Sequence, residues 1–212
     1  MSPPEEVRGA RVLLRFDAGR CIHSRHCVLD RPDVFVPNVQ GEWIYPDRAT
    51  AEEIAELAHN CPSGAITYER LDGAPDEAAP LVNTMRIREN GPLAIRADAE
   101  IVGHGPALRA TLCRCGASKN KPFCDMSHLA AGFTASGEPA TRESAPLAIR
   151  NGRLRITPTP DGPLSVEGNL EICSGTGRTV DRVTKAALCR CGQSGNKPFC
   201  DGSHRRVGFT AP

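Results

Sequence analysis

Aromatic side chains are scarce in this chain: its 212 residues include six Phe, two Tyr and one Trp. Together with 20 Gly and 18 Pro, that argues against one large, tightly packed core. It favours two or three small domains of the kind that usually need staples. Neither sign of charge prevails. The 26 Lys and Arg against 25 Asp and Glu leave a formal net charge of +1, without the basic excess or stripe that general nucleic-acid binding requires. No apolar run approaches the roughly 18–20 residues of a membrane span. The opening Met1-Ser2-Pro3-Pro4-Glu5-Glu6 has no basic segment followed by an apolar one, so no secretory leader is expected. A soluble, cytoplasmic protein is the expectation, with neither a nucleic-acid nor a membrane partner.

Cysteine, by contrast, is plentiful, with ten residues. In a reducing compartment, clustered Cys mean metal or redox chemistry more often than disulfides. Their placement is organised by an internal repeat. Residues 112–133, LCRCGASKNKPFCDMSHLAAGF, and 188–209, LCRCGQSGNKPFCDGSHRRVGF, align without gaps, with 16 of 22 positions identical. Short alternating runs that read as strands lie upstream: Pro92–Arg96, Pro146–Arg150 and Pro163–Val166. Asn151-Gly152, Asp161-Gly162 and Glu167-Gly168-Asn169 read as the turns between them.

The N-terminal third differs. Val12, Leu14 and Phe16 alternate as in a strand. Thr50-x-x-Glu53 is a capping box before a helix whose face carries Ile54, Leu57 and Ala58 and which ends at Cys61-Pro62. Ile66–Tyr68 reads as a closing strand, and 71–84, acidic and rich in Pro and Ala, as a linker. The organisation expected is therefore α+β: a small domain over 1–70, the linker 71–84, and two β-rich modules over 85–140 and 141–212.

Each repeat offers Cys-x-Cys-x8-Cys-x3-His: Cys113, Cys115, Cys124 and His128, then Cys189, Cys191, Cys200 and His204. Cys113 and Cys115, two apart on an extended segment, share a side. Cys124 and His128, four apart, share a face if a helix begins at Pro122, as Pro at the first helical position allows. The four ligands thus come as two pairs. Such pairs can hold one zinc ion or two irons bridged by sulfide, and the one-residue gap is short for zinc. Gly116, Gly192 and Gly202 allow close backbone approach. Asp125 and Asp201 read as caps, Ser118 and Ser194 as donors to cluster sulfur or loop backbone, and Lys121 and Lys197 as solvated.

The second copy, Cys189-Arg190-Cys191-Gly192 through Cys200-Asp201-Gly202-Ser203-His204, resembles the CDGSH iron–sulfur domain of the mitoNEET family throughout. The first departs once, with Met126 in place of Gly. The resemblance spans about residues 85–212. It implies one [2Fe–2S] cluster per copy, Cys-x-Cys on one iron and the later Cys and His on the other. It also implies a monomer resembling a fused homodimer, its two modules related by a pseudo-two-fold. An imidazole must be neutral to ligate, and its reference pKa of about 6.5 is near working pH. Acid is therefore expected to loosen both clusters, and their potentials are expected above those of all-Cys clusters.

Cys21, Cys27 and the distant Cys61-Pro62 follow the Cys-x2-Cys-x2-Cys…Cys-Pro pattern, with Ser24 at the middle position. With Val34-Phe35 and Trp43-Ile44, the segment 10–70 resembles divergent single-cluster ferredoxins, including those serving cytochromes P450. This implies a [3Fe–4S] cluster, or a [4Fe–4S] cluster whose fourth iron takes Ser24, His23 or water. Buried, inert thiols are the structural alternative. Cys173 is left over as a free thiol, and His26, His59 and His104 belong to no ligand set.

No nucleophile–base pair, phosphate loop or dinucleotide fingerprint is present, so catalysis by the chain itself is not expected. The cofactors expected are two [2Fe–2S] clusters and one [3Fe–4S] or [4Fe–4S] cluster. The function expected is electron transfer to a redox partner protein. The alternatives are a labile cluster carrier or redox or pH sensor serving an apo-acceptor, and a zinc-stabilised interaction module.

Overall fold

The computed structural model describes residues 3–212. It divides into two compact units, Met1–Ala78 and Ala79–Pro212, each with its own hydrophobic core. The architecture is mixed, with short helices and a predominance of sheet, and the division falls within the Pro- and Ala-rich stretch 71–84.

The N-terminal unit is built on an antiparallel sheet of β1 (Glu5–Arg8), β2 (Val12–Phe16) and β3 (Ile66–Arg70), in that order. Val12 and Leu14 alternate into the core as a half-buried strand requires. Strand β1 has only Val7 to mark it and escapes the periodicity. It is an edge strand, steadied by its ladder to β2 and by Arg15 donating to Glu6 at 2.7 Å. Between β2 and β3 lie α1 (His26–Asp30) and α2 (Ala51–Asn60). Helix α2 starts where the capping box predicts: Thr50 accepts from the Glu53 N–H at 3.3 Å, and Glu53 accepts from the Thr50 N–H at 2.8 Å. It buries Ile54, Leu57 and Ala58 and stops at Cys61-Pro62.

Both repeats share one sheet and one core in the C-terminal unit. Its strands are β4 (Thr84–Ile87), β5 (Leu93–Ile101), β6 (Gly105–Leu112), β7 (Leu154–Pro158), β8 (Leu164–Cys173) and β9 (Thr179–Leu188). In each repeat the three strands form an antiparallel meander. The first strand of each also pairs in parallel with the second strand of the other: β4 with β8 through Thr84↔Glu171, and β7 with β5 through Ala99↔Leu154. Thus β4 and β7 occupy one row between β5 and β8. Asn83 fills the junction. Its amide donates to the carbonyls of Gly152 (2.8 Å) and Asn169 (3.0 Å), and its side-chain oxygen accepts from the Asp98 N–H (3.2 Å).

The core between these strands is aliphatic, with Ile87, Leu93, Ile95, Leu164, Val166 and Ile172 fully or nearly fully buried. Truncating one such Leu to Ala costs about 2–5 kcal/mol. Scarcity of aromatics therefore does not mean absence of a core here, because β-branched and leucine side chains supply it.

Two strand-level expectations fail. Pro146–Arg150 alternates but forms no strand, and Ile149 is exposed. The row beside β5 and β8 is already filled by β4 and β7, and Arg150 instead pairs with Glu171 at 2.7 Å. Glu167-Gly168-Asn169 is a bulge inside β8 rather than a turn. A matching bulge interrupts β5 between Arg96 and Ala99.

Candidate metal centres

Each Cys-rich loop hangs from the end of an outer strand, β6 or β9. The segment after the loop folds back along it. Phe123 bridges Leu112, and Phe199 bridges Leu188. Cys124 N–H donates to Thr111 O at 2.9 Å and Cys200 N–H to Ala187 O at 2.8 Å. These ties bring the later Cys back towards the Cys-x-Cys pair. They also correct the helical reading of Pro122: the Lys121–Pro122 and Lys197–Pro198 peptides are cis. The helices α3 (Ser127–Ala130) and α4 (Ser203–Arg206) begin only after the third Cys.

The eight side chains meet in four pairs. Cys113 and Cys115 Sγ atoms lie 3.7 Å apart, as do those of Cys189 and Cys191. Cys124 Sγ is 3.5 Å from His128 Nδ1, and Cys200 Sγ is 3.3 Å from His204 Nδ1. A tetrahedral metal bonded at about 2.3 Å to sulfur and about 2.0 Å to nitrogen sets ligand edges of about 3.7 Å and about 3.5 Å. Each pair therefore has the spacing of two ligands on one tetrahedral ion. In each loop the pairs come one from the Cys-x-Cys segment and one from the later Cys and the His.

The loops are also shaped for thiolates. The N–H groups of Ala117, Met126 and Gly202 donate to the Sγ atoms of Cys115, Cys124 and Cys200 at 3.4 Å, and that of Gln193 donates to Cys191 at 3.5 Å. Such bonds favour the charged sulfur. The shared hydrogen bond pulls the Cys113 thiol down and pushes Cys115 up. Burial pushes Cys124 up to about 11, and holds His128 below the usual imidazole range, hence in the neutral form that ligates.

Ser118 and Ser194 turn inward to the backbone, donating to Phe123 O and Phe199 O at 2.7 and 2.6 Å. Asp125 accepts from the Lys119 and Ser127 N–H groups at 2.8 and 3.0 Å, and Asp201 from Gly195 and Ser203 at 2.9 Å. Both carboxylates thus lace the loop to the helix start. For Asp125, burial opposes ionisation, but these bonds outweigh it and its pKa falls. Lys121 and Lys197 are not simply solvated, since each donates to the carbonyl of Ser118 or Ser194 at 2.5 Å.

Two features were not anticipated from the sequence. The arginine between the paired Cys is 1% exposed in both copies. Arg114 donates to the carbonyls of Gly91 (2.9 Å), Ser136 (3.1 Å), Arg88 (2.6 Å) and Ala135 (3.1 Å). Arg190 donates to those of Gly162 (3.0 Å), Pro212 (2.8 Å) and Thr159 (2.5 Å). Their identical placement in the repeat was the available signal. Secondly, the two Cys-x-Cys loops touch through a bridge between Cys115 and Cys191. A Cβ on Gly116 would lie 2.5 Å from Cys191 O, and one on Gly192 would lie 2.3 Å from Cys115 O. Only glycine permits this approach. His104, outside every ligand set, packs edge-on against Phe123 with ring centroids 5.2 Å apart. Cys173 is a buried free thiol at the end of β8.

In the N-terminal unit, Cys21 lies on the loop after β2, Cys27 in α1, and Cys61 at the C-cap of α2. All three line one cavity of about 400 Å³, with Ser24 and His23 at its wall and Phe16 and Trp43 among its apolar lining. Burial pushes the Cys21 and Cys27 thiols up, a cost that a bound cation removes by taking the thiolate. His23 N–H donates to Cys21 Sγ at 3.4 Å. Three soft donors around one largely apolar cavity fit a cluster held by three Cys.

Comparison with known proteins agrees with this division. Residues 90–129 and 161–205 match the family described as iron-binding zinc finger, CDGSH type, and residues 7–71 match the divergent 4Fe-4S mono-cluster family. Comparison with curated proteins gives no match. No helix among the described residues is long and apolar enough to cross a membrane. With all eleven paired or clustered Cys and His inside the matched segments, the chain is an iron–sulfur cluster-binding protein that joins a divergent 4Fe-4S mono-cluster domain to two iron-binding domains of the CDGSH type.

Proposed function

We propose that this protein transfers electrons through two [2Fe–2S] clusters, each held by three Cys and one His, and one N-terminal [3Fe–4S] or [4Fe–4S] cluster. The observation that carries the proposal is the pairing, two sulfur–sulfur and two sulfur–nitrogen contacts at tetrahedral-edge length, inside segments that match an iron-binding family. One zinc ion would draw all four ligands of a loop around a single point. A binuclear cluster takes one pair on each iron. In this reading Cys113, Cys115, Cys124 and His128 hold one cluster and Cys189, Cys191, Cys200 and His204 the other, while Cys21, Cys27 and Cys61 hold the third.

When bound, such clusters supply one-electron redox chemistry. The chain's own residues supply the setting. The backbone N–H groups stabilise thiolate charge, burial keeps His128 neutral, and Arg114 and Arg190 place fixed positive charge behind the Cys-x-Cys pairs. The reciprocal pairings β4·β8 and β5·β7 support a pseudo-two-fold relation between the copies and a monomer that needs no second chain to complete its sheet. A redox partner protein, a cytoplasmic setting and the absence of substrate catalysis complete the proposal. A half-buried His204 favours one alternative, donation of a cluster to an apo-acceptor.

The test is iron, acid-labile sulfide and zinc determination on protein purified without oxygen, joined to low-temperature EPR. The proposal expects about seven or eight irons per chain, the two [2Fe–2S] units supplying four. About four irons would remove the N-terminal cluster, and zinc without sulfide would leave a structural interaction module. Reversible reduction with clusters retained separates electron transfer from donation.

A further inference from the structure

The two CDGSH loops differ where ligand geometry does not require it. His128 is 6% exposed, whereas His204 is half-buried. The residue two before His128 is Met126, held in the left-handed region at φ 68°, and its counterpart is Gly202 at φ 84°. The first loop therefore carries a side chain at a position where the second has none, and there is room for one in the second, since a Cβ on Gly202 would meet nothing within 4 Å. The left-handed conformation costs a non-glycine residue about 1–2 kcal/mol, so Met126 occupies its place against a local penalty. The helices differ as well. Helix α3 continues from His128 with exposed Leu129 and Ala130, and α4 continues from His204 with exposed Arg205 and Arg206. Arg206 also donates to Ser203 Oγ at 2.6 Å, which fixes its guanidinium over the start of the helix.

We infer that the two sites are functionally unequal: the second, at His204, is the accessible port and receives an anionic partner surface over Arg205 and Arg206, while the first is a retained site shielded by Met126. The inference rests on the [2Fe–2S] proposal and deepens it. The exposure of the histidine ligand sets how readily an outside group reaches each site. Two basic side chains beside that ligand steer an acidic partner and raise its encounter rate. Helix α3 carries no basic side chain besides His128, so the first site lacks that pair of charges beside its ligand.

The full, cluster-loaded chain tests this when challenged anaerobically with excess of two iron chelators, neutral 2,2′-bipyridyl and an anionic disulfonated phenanthroline. Samples are withdrawn, reduced, and the [2Fe–2S] EPR signal is counted. The wild-type protein is expected to lose half of that signal about tenfold faster than the other half, because a shielded site is reached only through local opening. Met126→Gly brings the slow half to nearly the fast rate, and Gly202→Met slows the fast half. Arg205→Glu with Arg206→Glu slows the anionic chelator several-fold on the fast half and leaves the neutral one unchanged. A single rate for both halves in the wild type, or a slow half indifferent to Met126→Gly, overturns the inference while leaving the clusters in place. Equal effects of the arginine changes on both chelators overturn its anionic port. Starting protein with no [2Fe–2S] signal overturns the cluster proposal itself.

Discussion

Arg114 presents the most demanding test of how the first loop is held. Its guanidinium is buried, carries a fixed charge, and spends its donors on four backbone carbonyls from two separate segments, Arg88–Gly91 and Ala135–Ser136. Replacing it with Met keeps most of the volume and removes every donor. Each buried carbonyl left without a partner costs about 1–3 kcal/mol, and partial rehydration of the outer ones lowers the sum. The expected loss is about 3–5 kcal/mol, in the range for dismantling buried charged networks. For a unit of this size that corresponds to a fall in Tm of about 10–20 °C. Thermal and urea unfolding of the cluster-loaded protein, followed by far-UV circular dichroism, measure it. Arg114→Lys keeps the charge but not the fork, so it should recover little stability while holding the potential of the nearby cluster near the wild-type value; Arg114→Met should lower that potential. An Arg114→Met protein within about 1 kcal/mol of wild type would refute the claim that these four bonds close the loop.

Other predictions follow from single contacts. Gly192→Ala forces a Cβ against Cys115 O at a positive φ, and is expected to cost about 2–4 kcal/mol and to perturb the EPR of both [2Fe–2S] clusters, because the loops touch. Thr50→Ala removes one half of the capping box and should cost the N-terminal unit about 1 kcal/mol in urea unfolding, without changing the [2Fe–2S] spectra. Cys27→Ser should abolish the N-terminal cluster signal alone. Removal of all clusters should expose the amides of 113–128 and 189–204 to hydrogen exchange, while β5 and β8, seated in an aliphatic core of their own, stay protected.

Much of the site could be read from the chain. A gapless repeat isolates Cys-x-Cys-x8-Cys-x3-His, and the structure sets Cys113 near Cys115 and Cys124 near His128, although Cys124 precedes the helix instead of lying on it. The capping box at Thr50 and Glu53, the strand at Val12–Phe16 and the turn at Asp161-Gly162 were equally visible, because each is a local event. Features that depend on distant partners were hidden. Strand β1 has a single apolar residue and exists because β2 offers an open edge. The parallel pairings of β4 with β8 and of β7 with β5 link residues far apart in sequence and leave no periodic mark. Pro146–Arg150 has the alternation of a strand but no free row to join. A buried Arg between two Cys looks like a surface charge until the carbonyls that surround it are placed.

The central claim is that each CDGSH loop holds two irons, one of them bonded to a histidine nitrogen. Pulsed EPR of the reduced protein tests it most directly. The account predicts strong nitrogen couplings on both [2Fe–2S] signals, lost from one signal in His128→Cys and from the other in His204→Cys. Reduced clusters without histidine nitrogen coupling, or loops that carry zinc and give no [2Fe–2S] signal, would contradict it.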